Sequence, residues 1–136
     1  MITADAPGNV ADVNATCNDP APPPKPFQTS EDLETYQRAR EFRIAMHGVT
    51  RRLPDFEKSE SASQIRRASV SLTNNIAEGH GRHHFLDQLM FLLQARGSLE
   101  ELIDDLTVCG DEKYLPPTDV DSLKHLGWRV HHVVNG

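Results

Sequence analysis

Three sets of residues in this chain have types and spacing suited to chemistry. The first is a histidine run, His80, His83 and His84, with a second pair, His131 and His132, further on. Imidazoles at short spacing can hold a transition metal, but no thiol or carboxylate completes a ligand set here, so solvated loop histidines are the simpler reading. The second is the thiols: Cys17 and Cys109 stand far apart and form neither a disulfide framework nor a zinc cluster. The third is arginine. Arg51-Arg52 and Arg66-Arg67 are candidate contacts to nucleic-acid phosphates, although Phe56 is the only aromatic between the pairs to stack a base. Glu78 has no nucleophile, paired base or cofactor loop near it in the sequence, so no catalytic residue, cofactor, metal or small-molecule substrate is assigned.

A further polar set needs helices to make sense. Gln64, Arg67, Ser71, Asn75, Glu78 and Arg82 recur at threes and fours and fall on one helical stripe. Ser and Asn are mediocre helix formers, so a polar network fixing register between helices or subunits is expected to hold them there.

The elements that position these residues follow from apolar periodicity. Ser30 is a candidate N-cap, followed by Leu33, Tyr36, Ala39, Phe42, Met46, Val49 and Leu53 at helical spacing, and Pro54 stops the run. Ser61 and Gln64 read as a capping box opening a second helix, whose core face is Ile65, Ala68, Ser69, Leu72 and Ile76 and whose end is marked by Gly79 and Gly81. A third helix is expected from about His84 to Cys109, closed by Gly110. Its apolar arc spans roughly 220°, about twice what one-sided packing needs, so a second surface must cover it. Gly97 sits mid-helix at a cost of about 1 kcal/mol, which a close-approaching backbone would offset. Thr118, after Pro116-Pro117, marks a fourth helix carrying Leu123, Leu126, Val130, Val133 and Val134. Trp128 lies on the opposite side of that helix and is a candidate subunit contact. No strand-like alternation occurs, so the expected fold is an all-α, antiparallel up-down four-helix bundle.

Residues 1–27 hold six of the nine prolines without apolar periodicity and are expected to be a disordered leader, leaving 28–136 as the bundle. The leader lacks the apolar run of a signal peptide and no segment approaches a membrane span, so a cytoplasmic protein with no membrane partner is expected. Net charge is −6, against a generally nucleic-acid-binding surface. Its distribution is uneven. Arg38–Arg67 carries eight Arg/Lys against four Asp/Glu, while Leu86–Asp121 carries nine acids against Arg96 and Lys113.

The stretches Ser71, Asn75-Ile76-Ala77-Glu78-Gly79, Gly81-Arg82 and, further on, Ala95, Gly97-Ser98, Glu101-Leu102 resemble the signature of the bacterial four-helix-bundle family encoded in 23S rRNA intervening sequences. The resemblance covers about residues 27–136. It departs from the family at His84 and Gln88, where Ser and an aromatic are usual, which leaves the start of the third helix less securely capped. The resemblance implies a non-enzymatic, ring-like homopentamer with an undefined role, RNA-associated or a scaffold. It also implies that Ser71, Asn75, Glu78, Gly79, Arg82, Gly97, Ser98 and Glu101 form a structural network. Accessory proteins of diversity-generating retroelements, which share this bundle and bind a reverse transcriptase and its nucleic acid, are the alternative. Those proteins are typically basic, and the acidic balance here counts against that reading.

Overall fold

A computed structural model describes residues 20–21 and 29–135. The leader expected over 1–27 therefore lies outside the described residues, apart from Pro20 and Ala21. The first helix, α1 (Glu34–Arg52), is approached through a short 3-10 turn, Ser30–Asp32. The Asp32 carboxylate fixes that turn, accepting both the Thr29 N–H and the Thr29 hydroxyl at 3.0 Å. The chain thus caps one residue earlier than Ser30 and begins its α-helix three residues later than a Ser30 cap would. Short polar side chains close tight turns as readily as they cap helices. Leu53 is extended because Pro54 follows it, and α1 stops there.

Helix α2 (Ser61–His80) opens without the Ser61/Gln64 capping box. Ser61 is inside the helix, and its hydroxyl donates to Glu57 Oε1 at 2.8 Å. Glu57 Oε2 also accepts the Tyr114 hydroxyl at 2.7 Å. One carboxylate thereby ties the α1–α2 connection to the segment between α3 and α4, an arrangement local pattern does not reveal.

Helix α3 (Phe85–Asp111) begins beside His84, which is extended and makes no side-chain cap. It does not end at Gly110. The turn comes at Lys113, a non-glycine residue at φ 62°, and the Tyr114 N–H returns to the Cys109 carbonyl at 2.9 Å. Helix α4 (Pro117–Asn135) starts at Pro117 rather than beyond Thr118. Proline suits that position because its φ is already helical and its missing N–H is not needed.

Each helix buries one face. Ala39, Phe42, Met46 and Val49 of α1 meet Ile65, Ala68, Leu72 and Ile76 of α2 in a single core. Ala95, Leu99, Leu102 and Leu106 of α3 and Val120 and Val130 of α4 complete it. Helices α1 and α3 each pack against both α2 and α4. Among the described residues there is no strand, and no helix is long and apolar enough to cross a membrane.

On α4 a neighbour comes close where the sequence has no side chain. Gly127 is buried, and a Cβ there would meet the Phe42 ring at 3.1 Å and Ile103 Cγ1 at 3.3 Å. Between α2 and α3 Gly79 plays the same part, with the Phe91 Cβ at 3.1 Å and the Gln88 carbonyl oxygen at 3.3 Å.

Candidate functional site

The polar stripe of α2 divides rather than forming one buried network. Ser71 is its centre. Asn75 Nδ2 donates to the Ser71 carbonyl at 2.9 Å and to Ser71 Oγ at 3.0 Å, and Ser98 of α3 donates to Ser71 Oγ at 3.0 Å. These half-buried groups register α2 against α3. The remaining family-motif residues lie elsewhere. Glu78 and Arg82 form an exposed pair at 3.3 Å, with the Arg82 guanidinium 5.0 Å from the centre of the Phe91 ring. Glu101 is exposed beside Gln64 and Arg67 on the rim of a shallow cleft. At Gly79 α3 packs closely on α2. Gly97 is exposed with no atom within 4 Å of a Cβ position, so within this chain it does not serve a close approach.

The four arginines expected to act together do not form one patch. Arg52 turns toward α4 and pairs with Asp119 at 2.7 Å. Arg67 reaches Ser63 Oγ at 3.4 Å on the outer face of α2. Arg66 instead crosses to α1, where Thr50 Oγ1 accepts its Nη1 at 3.0 Å, and Arg51 lies on the same side.

Arg43 and His47, which the arginine pairs did not indicate, join that seam between α1 and α2. Arg43 Nη1 donates to Thr73 Oγ1 at 2.9 Å. Both threonines donate their own hydroxyl to a carbonyl of the same helix, Thr50 to His47 at 2.6 Å and Thr73 to Val70 at 3.2 Å. Each therefore presents a lone pair to an arginine of the facing helix. Lys58 folds back on the end of α1, donating to the carbonyls of Thr50 at 3.5 Å and Arg51 at 3.3 Å. The signal for this seam was the spacing Arg43, His47, Arg51, which places three side chains on one helical face.

His47 is the unusual member. Its Nε2 is buried and accepts or donates no hydrogen bond. Burial first, then Arg66, Arg43 and Arg51, hold the ring below its ordinary pKa, while the nearby Arg66 carbonyl opposes them.

Among the described residues, Cys109 and Tyr114 are held in their protonated forms. Cys109 is buried in the core, and burial, with Asp105 and Glu57, pushes its thiol up to about 11. The Tyr114 phenol is pushed up to about 12, chiefly by its hydrogen bond to Glu57. A protonated thiol and phenol are poor nucleophiles. Among the described residues no group of three His, Cys, Asp or Glu is placed to hold a metal ion. His80 closes α2 and His83 and His84 lie in the exposed turn after it.

Part of the wide apolar arc of α3 is packed and part is not. Ala95, Leu99, Leu102 and Leu106 are buried, whereas Phe85, Leu86, Leu89, Met90 and Leu93 remain exposed, the first two at 72 %. Trp128 on α4 is half exposed, its ring edge-on to His125 with centroids 5.1 Å apart.

Taken together, these features define, among the described residues, an all-α fold of four α-helices, with serine and asparagine joining α2 to α3 and arginine and threonine joining α1 to α2. Residues 31–136 match the family model of the 23S rRNA-intervening sequence protein, and the chain belongs to that family. No curated protein matches it.

Proposed function

We propose that the chain is a non-enzymatic, homo-oligomeric scaffold built on an antiparallel up-down bundle, assembled as a ring-like homopentamer. Antiparallel order is supported by pairings whose numbers run in opposite senses: Arg43–Thr73 with Thr50–Arg66, Ser71–Ser98 with Gly79–Phe91, and Phe42–Gly127 with Arg52–Asp119. The observation that carries assembly is the stripe Phe85, Leu86, Leu89, Met90 and Leu93. Its members are neighbours along one side of α3, and a continuous exposed apolar stripe of this kind is the mark of an interface. A second copy is the occupant that family membership favours.

Light scattering at tens of micromolar tests the reading. The expected result is a mass several times that of the chain, reduced by Leu86→Glu with Met90→Glu while helicity is retained. A monomeric wild type would overturn it.

Association with RNA is a second reading, and one observation favours it. Among the described residues Arg43, Arg51, Arg66 and Lys58 make no ion pair with a carboxylate. Cations left without acids on a net-acidic chain are available to phosphate.

A further inference from the structure

We propose that the α1–α2 seam of Arg43, His47, Arg51 and Arg66 binds the phosphate backbone of a nucleic acid, and that His47 takes up a proton as the phosphates arrive. This rests on the RNA reading above and names the site and its regulation.

The geometry favours a chain of phosphates over a single ion. Arg43, His47 and Arg51 are successive i, i+4 neighbours, so the row runs about 12 Å along α1 at 1.5 Å per residue. Arg66 joins it from α2, held by Thr50, while Arg43 is held by Thr73. Two of the guanidinium groups are thus oriented before any ligand binds, and a guanidinium has donors left over after one hydrogen bond. Lys58 adds a charge at the end of α1. Glu57, next to Lys58 in sequence, is turned away toward Ser61 and Tyr114. No Phe, Tyr or Trp occurs between Arg43 and Arg51 or between Arg66 and Thr73, and the one ring there, His47, has its Nε2 buried, so the seam is suited to backbone and not to stacked bases. Binding is expected to be indifferent to sequence.

His47 adds the coupling. Every charge acting on its ring is positive: Arg66 from α2, and Arg43 and Arg51 from its own helix. Its buried Nε2 has no hydrogen-bond partner. In the free protein burial, and then these arginines, disfavour the protonated imidazole. Phosphates seated on them offset that repulsion and raise the ring's affinity for a proton, with the Arg66 carbonyl beside it. By linkage, what raises proton affinity on binding raises binding affinity when protons are supplied. The seam should therefore hold nucleic acid more tightly as pH falls.

The test is fluorescence anisotropy of a labelled single-stranded RNA on the full chain, with circular dichroism as a check on folding. Affinity is expected to rise about three- to tenfold from about pH 8 to about pH 5.5, the upper limit corresponding to a one-unit shift of a single group. His47→Gln should still bind but lose that part of the rise. Arg51→Glu breaks no intramolecular hydrogen bond and should weaken binding at least tenfold. The triple change Arg43→Ala, Arg51→Ala, Arg66→Ala should lower the log–log salt slope by about two, at about 0.7 per phosphate on a single strand. Arg67→Ala should bind as wild type.

Complete displacement of RNA by an equal phosphate concentration of orthophosphate would overturn the chain of phosphates in favour of a single-ion site. If wild type binds RNA and Arg51→Glu binds equally, the seam is wrong and the RNA reading survives. No binding by wild type at low salt overturns both. Loss of assembly in Arg51→Glu, with no RNA binding by wild type, would assign the seam to a neighbouring copy instead.

Discussion

Replacing Asp105 by asparagine should make this protein more stable at neutral pH. Asp105 is half-buried on α3, its Oδ2 is enclosed without a hydrogen-bond partner, and Glu101 and Asp104 stand nearby. Burial, and then those two carboxylates, push its pKa from 3.8 up to about 6. The folded state therefore holds this proton more tightly than the unfolded chain does. Between about pH 4 and pH 6 the folded form carries more protons, so this group's contribution to stability falls as pH rises through that window. Above it the carboxylate is charged in both states and its penalty is complete. Roughly two units at about 1.4 kcal/mol each give a ceiling of about 3 kcal/mol. Because the side chain is only half-buried, solvent screening reduces this to about 1–1.5 kcal/mol.

Asp105→Asn removes the charge at nearly constant volume and should recover that amount at about pH 7.5. For a domain of this size each kcal/mol corresponds to about 4–8 °C in melting temperature. Urea titrations of both proteins at about pH 7.5 and about pH 4 provide the measurement, at one fixed concentration because assembly makes stability concentration-dependent. Most of the difference should vanish at the lower pH. A variant no more stable than wild type at neutral pH, or a gain that persists in acid, would refute the electrostatic argument.

Two glycines should respond in opposite directions. Gly127→Ala forces a methyl group against Phe42 and Ile103 and should cost about 1–3 kcal/mol in a denaturant melt. Gly97→Ala meets open space on an exposed helical surface and should add about 0.5–1 kcal/mol; destabilisation or loss of assembly would mean that another chain packs on it. Cys109, buried with its thiol pushed up to about 11, should resist alkylation at about pH 8 in the native protein and react once urea is added. Peptide mapping of the label reads this out, and rapid native labelling would contradict the enclosed site.

The cores of α1 and α2 were legible in the sequence because one-sided burial writes its period directly into residue type. Ala39, Phe42, Met46 and Val49, and then Ile65, Ala68, Ser69, Leu72 and Ile76, are buried as their spacing indicates. The motif around Ser71 and Asn75 was equally visible, and with it the family. Helix ends were less so. Ser61 has the spacing of a cap, yet Glu57, held also by Tyr114 from the segment between α3 and α4, takes its hydroxyl. Local competition among short polar groups is settled by partners distant in the chain.

The site shows the same division more sharply. Arg51-Arg52 is one feature in sequence, but adjacent helical residues point about 100° apart. Arg51 therefore faces the α2 seam while Arg52 meets Asp119 of α4. The sequence alone determined that four amphipathic helices must share a core and which faces they bury, since those follow from periodicity within each helix. Only the tertiary structure decided that Arg66 would cross to Thr50, that His47 would sit among three arginines, and that Gly127 and not Gly97 would admit a neighbour. Those outcomes depend on which faces of different helices meet, and no spacing within a single helix encodes that.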